Sequence, residues 1–87
     1  MSYRIQFTTA AARQIKKLPR PGRDRVLRAI DGLAVEPRPQ GSKKLTGEVT
    51  AWRIRVGDFR VLYDVFDVTL VVTVVRAGHR RDVYEHR

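Results

Sequence analysis

The fold is decided by one stretch of the chain, Trp52-Arg53-Ile54-Arg55-Val56-Gly57-Asp58-Phe59-Arg60-Val61-Leu62-Tyr63. Two runs of β-branched and aromatic residues flank Gly57-Asp58, and a two-residue loop with glycine first is typical of a type II′ hairpin turn. Side chains alternate between the faces of a strand, so the apolar residues of the first run share one face. The arginines are predicted to share the opposite face, with Arg55 directly across from Arg60 and Arg53 one diagonal step away.

Outside this hairpin, the pattern predicts an α+β fold: an N-terminal strand, a two-helix hairpin and an antiparallel three-stranded meander packed on the helices. Apolar residues at three- and four-residue steps indicate the helices, the first capped by Thr8 or Thr9 and ended by Pro19-Arg20-Pro21-Gly22. Runs rich in Val, Ile, Tyr and Phe indicate the strands. The predicted bounds are 3–7 for the first strand, 10–18 and 23–35 for the helices, and 49–56, 59–65 and 69–77 for the meander.

Length and composition limit the class of protein. The 87 residues, of which 43% are hydrophobic, are expected to form one domain over 1–87. No apolar run approaches the roughly 18 residues that cross a bilayer, and the N-terminus lacks the apolar segment of a signal peptide. We therefore expect a cytoplasmic protein without a membrane partner. The chain has no cysteine, which excludes disulfides, zinc-thiolate sites and thiol catalysis.

The charge of the chain indicates a polyanionic partner. Its 18 basic and 9 acidic residues give a formal net charge of +9. Fourteen of the basic residues are arginine, and the planar guanidinium group binds two phosphate oxygens at once. Nucleic acid and an acidic protein partner are both compatible with this basic excess.

The arginines of the hairpin allow two interpretations. Like charges directly opposite each other destabilise a sheet, so their presence favours a function such as phosphate binding. Arginine alternating with apolar residues is also typical of a half-exposed strand, where it discourages edge pairing. The end of the chain favours function, because His79, Arg80 and Tyr84 follow the last predicted strand and are expected to reach the same face as the arginines.

Four motifs carry a resemblance that spans essentially the whole chain. They are Tyr3-x-Ile5-x-Phe7, Lys43-Lys44-Leu45-x-Gly47, the stretch 52–63 and His79-Arg80-Arg81-Asp82-Val83-Tyr84. In these motifs the chain resembles the RelE branch of the RelE/ParE superfamily, whose members are toxins of bacterial toxin–antitoxin pairs. The resemblance implies the RelE-like microbial ribonuclease fold and cleavage of mRNA on the ribosome, without a metal or other cofactor.

The resemblance also implies a role for individual residues. It places the basic strand positions of the family on Arg53 and Arg55 and its phosphate-binding arginine on Arg60. Its late arginine and its tyrosine near the C-terminus fall on Arg80 and Tyr84. The further candidates are His79, in the slot beside that arginine, and the RNA-binding candidates Lys43 and Lys44.

The chain departs from the family pattern in a way that bears on mechanism. Well-studied RelE enzymes carry lysines at the positions of Arg53 and Arg55. RNA cleavage by internal attack needs a base for the 2′-OH, cations for the charged phosphorus centre and an acid for the leaving 5′-oxygen. Arginine, whose pKa exceeds about 12, is no base, so proton transfer is expected to fall to His79 or Tyr84, with slow turnover.

The resemblance leaves more than one function open. The leading hypothesis is a ribosome-dependent endoribonuclease held inactive by a small acidic antitoxin, the pair binding operator DNA through the antitoxin. The alternative is a ParE-like toxin that inhibits DNA gyrase by binding, since such relatives share the stretch 52–63. A non-toxic member that binds only its antitoxin or RNA is a third hypothesis.

Overall fold

The computed structural model describes residues 2–79, which form two helices and five strands. In chain order the elements are β1 (Arg4–Phe7), α1 (Thr9–Lys16), α2 (Arg20–Gly32), β2 (Lys43–Lys44), β3 (Ala51–Val56), β4 (Phe59–Phe66) and β5 (Val71–His79). This order confirms the α+β prediction of a strand, two helices and a meander. The two-residue strand β2 was not predicted.

The two helices begin for different reasons. Thr8 caps α1, because its Oγ1 accepts a hydrogen bond of 3.1 Å from the backbone N–H of Ala11. Helix α2 begins three residues earlier than predicted, directly after Pro19. Pro21 lies in its first turn, where the backbone N–H has no acceptor within the helix, so proline is tolerated there. Arg20, Pro21 and Gly22, which were predicted to end the first helix, therefore form the first turn of α2.

The strands form one sheet in the order β1-β5-β4-β3-β2. The meander β3-β4-β5 is antiparallel as predicted, but β1 pairs with β5 in parallel, so the sheet is mixed. The turn between β3 and β4 has a positive φ of 61° at Gly57 only, as a type II′ turn requires. Its register pairs Val56 with Phe59 and Arg55 with Arg60, as predicted.

Both helices pack on one face of the sheet, and the hydrophobic core lies between the helices and that face. Ala11, Ile15, Val26 and Ile30 on the helices meet the apolar side chains of the three meander strands. The sheet residues in this cluster are Ile54, Val61, Tyr63, Val65, Val72, Val74 and Ala77. The other face of the meander carries no helix from residues 2–79, and this is where the hairpin arginines lie.

A salt bridge joins the segment after α2 to the turn between β4 and β5. The guanidinium of Arg38 donates two hydrogen bonds, of 3.1 and 2.8 Å, to the carboxylate of Asp67 in the β4–β5 turn. The Tyr3 hydroxyl donates to the same carboxylate at 2.6 Å, and these two donors hold the pKa of Asp67 below its usual value. Arg38 also lies 5.3 Å above the ring of Trp52. These contacts fix the start of the loop that leads to β2.

Tyr63 fixes the same loop from inside the core. Its side chain is 1% exposed, and its hydroxyl donates a hydrogen bond of 2.7 Å to the backbone carbonyl of Pro37. Burial raises the pKa of Tyr63 to about 12, because a phenolate in this place would lose its hydration. The folded state therefore favours the neutral phenol.

This pKa shift predicts a specific sensitivity to alkali. The stabilisation from Tyr63 is complete below pH 10, the ordinary pKa of tyrosine, and is lost as the pH rises through about 12. Tyr63→Phe is expected to lose about 1–2 kcal/mol at pH 7, because the Pro37 carbonyl loses its partner. Between pH 9 and pH 11.5, the free energy of unfolding should fall less in the Tyr63→Phe variant than in the unmodified chain. Urea unfolding at these values measures both effects, and equal alkaline losses in the two proteins would contradict the assignment.

Within residues 2–79, neither helix has the length and apolar character needed to cross a membrane.

Candidate nucleic-acid interface

Four arginines lie together on the face of the sheet that faces away from the helices. We call this the arginine face; its members are Arg53, Arg55, Arg60 and Arg76. Arg55 lies directly opposite Arg60, while Arg53 and Arg76 flank Leu62 on either side. Cβ atoms of directly opposite residues are about 4.5–5.5 Å apart, and strands are about 4.8 Å apart. The four arginines therefore lie within an area about 10 Å across.

Arg76 belongs to this face because of a bulge in β5. Tyr63 pairs with Val74 and Leu62 pairs with Arg76, so Val75 is an extra residue without a partner on β4. Regular alternation from Val72 and Val74 would have turned Arg76 toward the helices. For this reason the sequence pattern does not indicate Arg76 as a member of this face. The adjacent valines before it are equally typical of a strand buried on both faces, so they are no signal for a bulge.

Helix α1 and the residue before it hold the bulge in place. The backbone N–H of Thr8 donates to the Val74 carbonyl at 2.9 Å, and its hydroxyl donates to the Val75 carbonyl at 3.0 Å. Further along, the side-chain oxygen of Gln14 accepts a hydrogen bond of 2.8 Å from the backbone N–H of Ala77. The bulge is thus part of the packing of α1 on the sheet and fixes the direction of Arg76.

The two candidate lysines are separated by the pleat of β2. Lys43 pairs with Arg53 and Lys44 pairs with Trp52, whose ring packs on the helix side. Lys43 therefore extends the arginine face to the edge of the sheet, whereas Lys44 lies on the other side. Of the two, only Lys43 is brought next to the arginines.

The arginine face is electrostatically unbalanced. Neither a hydrogen bond nor an ion pair joins Arg53, Arg55 or Arg76 to another part of the chain within residues 2–79. Arg53 is nevertheless only 5% exposed. A buried cation without a counter-charge costs free energy, and like charges on adjacent strands add to that cost. An anionic ligand would remove both costs.

The structure does not bring His79 to the arginine face. His79 pairs with Phe59, whose ring packs on the helix side, and the two rings meet edge to face at 6.5 Å between centroids. Its neighbours there include Gln14, Lys17 and Pro19. This register corrects the expectation that His79 reaches the same face as the arginines. His79 lies three positions after Arg76, and residues an odd number of positions apart point to opposite faces of a strand.

Two candidate residues, Arg80 and Tyr84, lie outside the residues that the structure describes. Within residues 2–79, no group of three or more His, Asp or Glu side chains is placed to hold a metal ion. The described part of the site is therefore a set of cations. Such a set can bind a phosphodiester and stabilise negative charge on phosphorus, but it supplies no base.

Comparison with known proteins identifies the family of this chain. The family model described as the ParE toxin of type II toxin–antitoxin systems matches residues 5–84. The chain is 35% identical over 92 residues to the toxin RelG of Mycobacterium tuberculosis, covering 97% of this chain and 98% of that protein.

Solved structures of related toxins have the same fold. The chain is similar to the toxin–antitoxin complex RelBE2 of Mycobacterium tuberculosis, with a TM-score of 0.80 and 33% identity over 92% of this chain and 100% of that one. It is also similar to a free mutant of the Escherichia coli toxin RelE, with a TM-score of 0.82 and 26% identity over 98% of this chain and 93% of that one. The chain therefore belongs to the RelE/ParE superfamily of toxins from type II toxin–antitoxin systems.

Proposed function

We propose that this toxin is an endoribonuclease that cleaves ribosome-bound mRNA, without a metal cofactor, and so inhibits translation. The observation that carries the proposal is the arginine face: four arginines on three adjacent strands share one face of the sheet, within about 10 Å of one another. Similarity to RelE toxins supports the same activity. The protein is expected to act in the cytoplasm, where translation takes place.

The proposed reaction is internal attack on phosphorus. The 2′-oxygen of one nucleotide forms a bond to the phosphorus on its own 3′-oxygen, and the bond from phosphorus to the 5′-oxygen of the next nucleotide breaks. Arg53, Arg55 and Arg60 bind the phosphate oxygens and stabilise the charge that develops on them in the transition state. Arg76 adds a cation on the far side of Leu62 and binds a neighbouring phosphate of the strand.

Proton transfer is assigned to the C-terminal segment. The 2′-OH must lose a proton and the leaving 5′-oxygen must gain one, and arginine does neither at neutral pH. His79 points to the helix side, so we propose that Tyr84 performs both transfers: its phenolate accepts the proton of the 2′-OH, and the resulting phenol donates it to the leaving 5′-oxygen. Arg80 is proposed as a further phosphate ligand. Little phenolate is present at neutral pH, and turnover is therefore expected to be slow.

The proposed protein partner is an acidic antitoxin. The solved relatives include complexes of RelE toxins with RelB antitoxins. On this chain, with a net charge of +9, antitoxin carboxylates that pair with the guanidinium groups would occupy the phosphate site. Operator DNA is proposed to bind through the antitoxin, because nothing in the two described helices is specialised for reading bases.

Cleavage during translation tests the proposal. Primer extension on an mRNA translated with the purified toxin should show new cuts within codons, and Tyr84→Phe and Arg80→Ala should each reduce them by about tenfold or more. His79→Ala is the control and should keep most of the activity. Translation that proceeds without new cuts would overturn the proposal.

The same assay separates the alternative function. If the toxin inhibits DNA gyrase by binding, the mRNA stays intact, DNA supercoiling by purified gyrase falls, and Tyr84→Phe and Arg80→Ala remain as toxic as the unmodified chain. Retained supercoiling together with cut mRNA would exclude the gyrase function.

A further inference from the structure

A pocket opens beside the arginine face, at the edge of the sheet. It has a volume of about 530 Å³ and lies where β2 ends and the edge of β3 is left unpaired. Its residues come from α2, the loop before β2, and strands β2 and β3: Ala29, Gly32, Pro39, Gln40, Gly41, Lys43, Arg53, Ile54 and Arg55. One end of the pocket is therefore cationic, and the other is formed by small and apolar residues.

Arg53 is a nearly buried residue that lines this pocket. Arg53 is 5% exposed and has no hydrogen-bond partner among the described residues. No side-chain nitrogen or oxygen within residues 2–79 is both sealed from solvent and unpaired. The nitrogens of Arg53 must therefore reach a space that solvent can fill, and Arg53 lines the pocket. Arg53 is thus a nearly buried residue that lines a cavity and has no partner among the described residues, as is typical of an anion-binding residue.

The pocket is larger than a phosphate alone requires. Its volume lies within the range of about 300–1,000 Å³ that is typical of sites for whole organic ligands. The space beside two of its glycines is empty, because a Cβ built on Gly32 or Gly41 would meet no atom within 4 Å. Apolar surface from Ala29, Pro39 and Ile54 can contact a planar ring, and the exposed side chain of Gln40 carries both a donor and an acceptor.

We propose that this pocket binds one nucleotide of the RNA substrate, next to the nucleotide that is cleaved. Its 5′-phosphate is the scissile phosphate and lies against Arg53 and Arg55. Its base lies between α2 and the loop 39–41, and Gln40 hydrogen-bonds the edge of the base. The inference rests on the proposed ribonuclease function for the identity of the ligand. It adds a base-binding site to a face whose other contacts are to phosphate, and thereby gives the toxin a way to prefer one base over another.

Gly32 offers a test that leaves every cation in place. It is the last residue of α2, its φ is not positive, and nothing occupies the space beside it. A Cβ at this position meets no atom within 4 Å, so Gly32→Leu adds apolar volume beside the pocket, and leucine favours the helix more than glycine does. The matched control is Ala10→Leu, which adds leucine at an exposed position of α1, away from the pocket.

The experiment is a titration followed by the backbone amide signals of Gly32, Gln40 and Gly41 in NMR spectra. The probes are the four ribonucleoside 5′-monophosphates, ribose 5-phosphate and inorganic phosphate. At least one nucleotide should bind about fivefold or more tightly than ribose 5-phosphate, as contact with a base requires. Gly32→Leu should abolish this preference and leave phosphate binding unchanged, and Ala10→Leu should change neither.

The outcomes separate this inference from the proposed function. Nucleotides that bind no more tightly than ribose 5-phosphate, or a preference that survives Gly32→Leu, would overturn the base-binding pocket even if mRNA is cleaved. An acidic protein segment as the natural occupant would give that result. Selective nucleotide binding without mRNA cleavage would support the pocket and overturn the proposed ribonuclease.

Discussion

Arg60→Ala is expected to slow mRNA cleavage on translating ribosomes by about a hundredfold, which is the usual effect of removing one group that stabilises transition-state charge. Arg60 lies in the middle of the arginine face, directly opposite Arg55 and diagonal to Arg53 and Arg76. Any phosphate held by two of these arginines therefore lies within reach of Arg60. The rate is measured by primer extension at saturating toxin, so that weaker binding is separated from slower chemistry.

A charge-matched variant controls for the loss of one positive charge. Arg28 is exposed on α2, on the opposite side of the sheet from the arginine face. Arg28→Ala removes the same charge, and we expect its cleavage rate to stay within about twofold of the unmodified chain, because a distant surface charge has only a screened effect. Equal losses in the two variants would mean that net charge, rather than the arginine face, supports the activity.

The second large effect is expected at Arg53, where activity and stability should change in opposite directions. Arg53 is 5% exposed, with no partner among the described residues. Arg53→Met replaces the guanidinium by an unbranched apolar chain. It should raise the free energy of unfolding by about 1 kcal/mol, because the change removes a charge that has lost most of its hydration. The same change should reduce mRNA cleavage by about tenfold or more, because one phosphate ligand is lost.

Urea unfolding and the cleavage assay measure the two effects on the same protein. Arg53→Lys is the control, because it keeps the positive charge at this position. This variant should keep most of the cleavage activity, and its free energy of unfolding should not rise. A loss of stability in Arg53→Met would show that the guanidinium supports the fold, and would remove the argument that it is held there for an anion.

Together, these two variants test whether the arginine face is kept for binding rather than for folding. Removing a residue that stabilises the fold lowers the free energy of unfolding of the protein. Removing a residue that is kept for a ligand raises it when no ligand is bound. The Tyr63 hydroxyl is of the first kind, because it satisfies a buried carbonyl. Arg53 and Arg55, opposed by like charges and unpaired within the described chain, are of the second kind.

The sequence by itself determined the hairpin and the positions of its arginines. Gly57-Asp58 permits one tight turn, and once the loop length is fixed every pair along β3 and β4 follows, including Arg55 with Arg60. Alternation then separates the arginines from the apolar residues that pack on the helices. This information is local, because neighbouring residues and the period of a strand contain all of it.

Only the tertiary structure decided which groups outside the hairpin join the arginines. The bulge at Val75 turns Arg76 onto the arginine face, and the strand register beyond it turns His79 away. That bulge is held by a hydrogen bond that Thr8 donates to Val75, and the strand beyond it by one that Gln14 accepts from Ala77; both partners lie more than 60 residues earlier in the chain. The burial of Arg53 and the pocket beside it likewise depend on how α2 and the loop 39–41 meet the sheet. Contacts between distant segments set these features, and no period in the sequence records them.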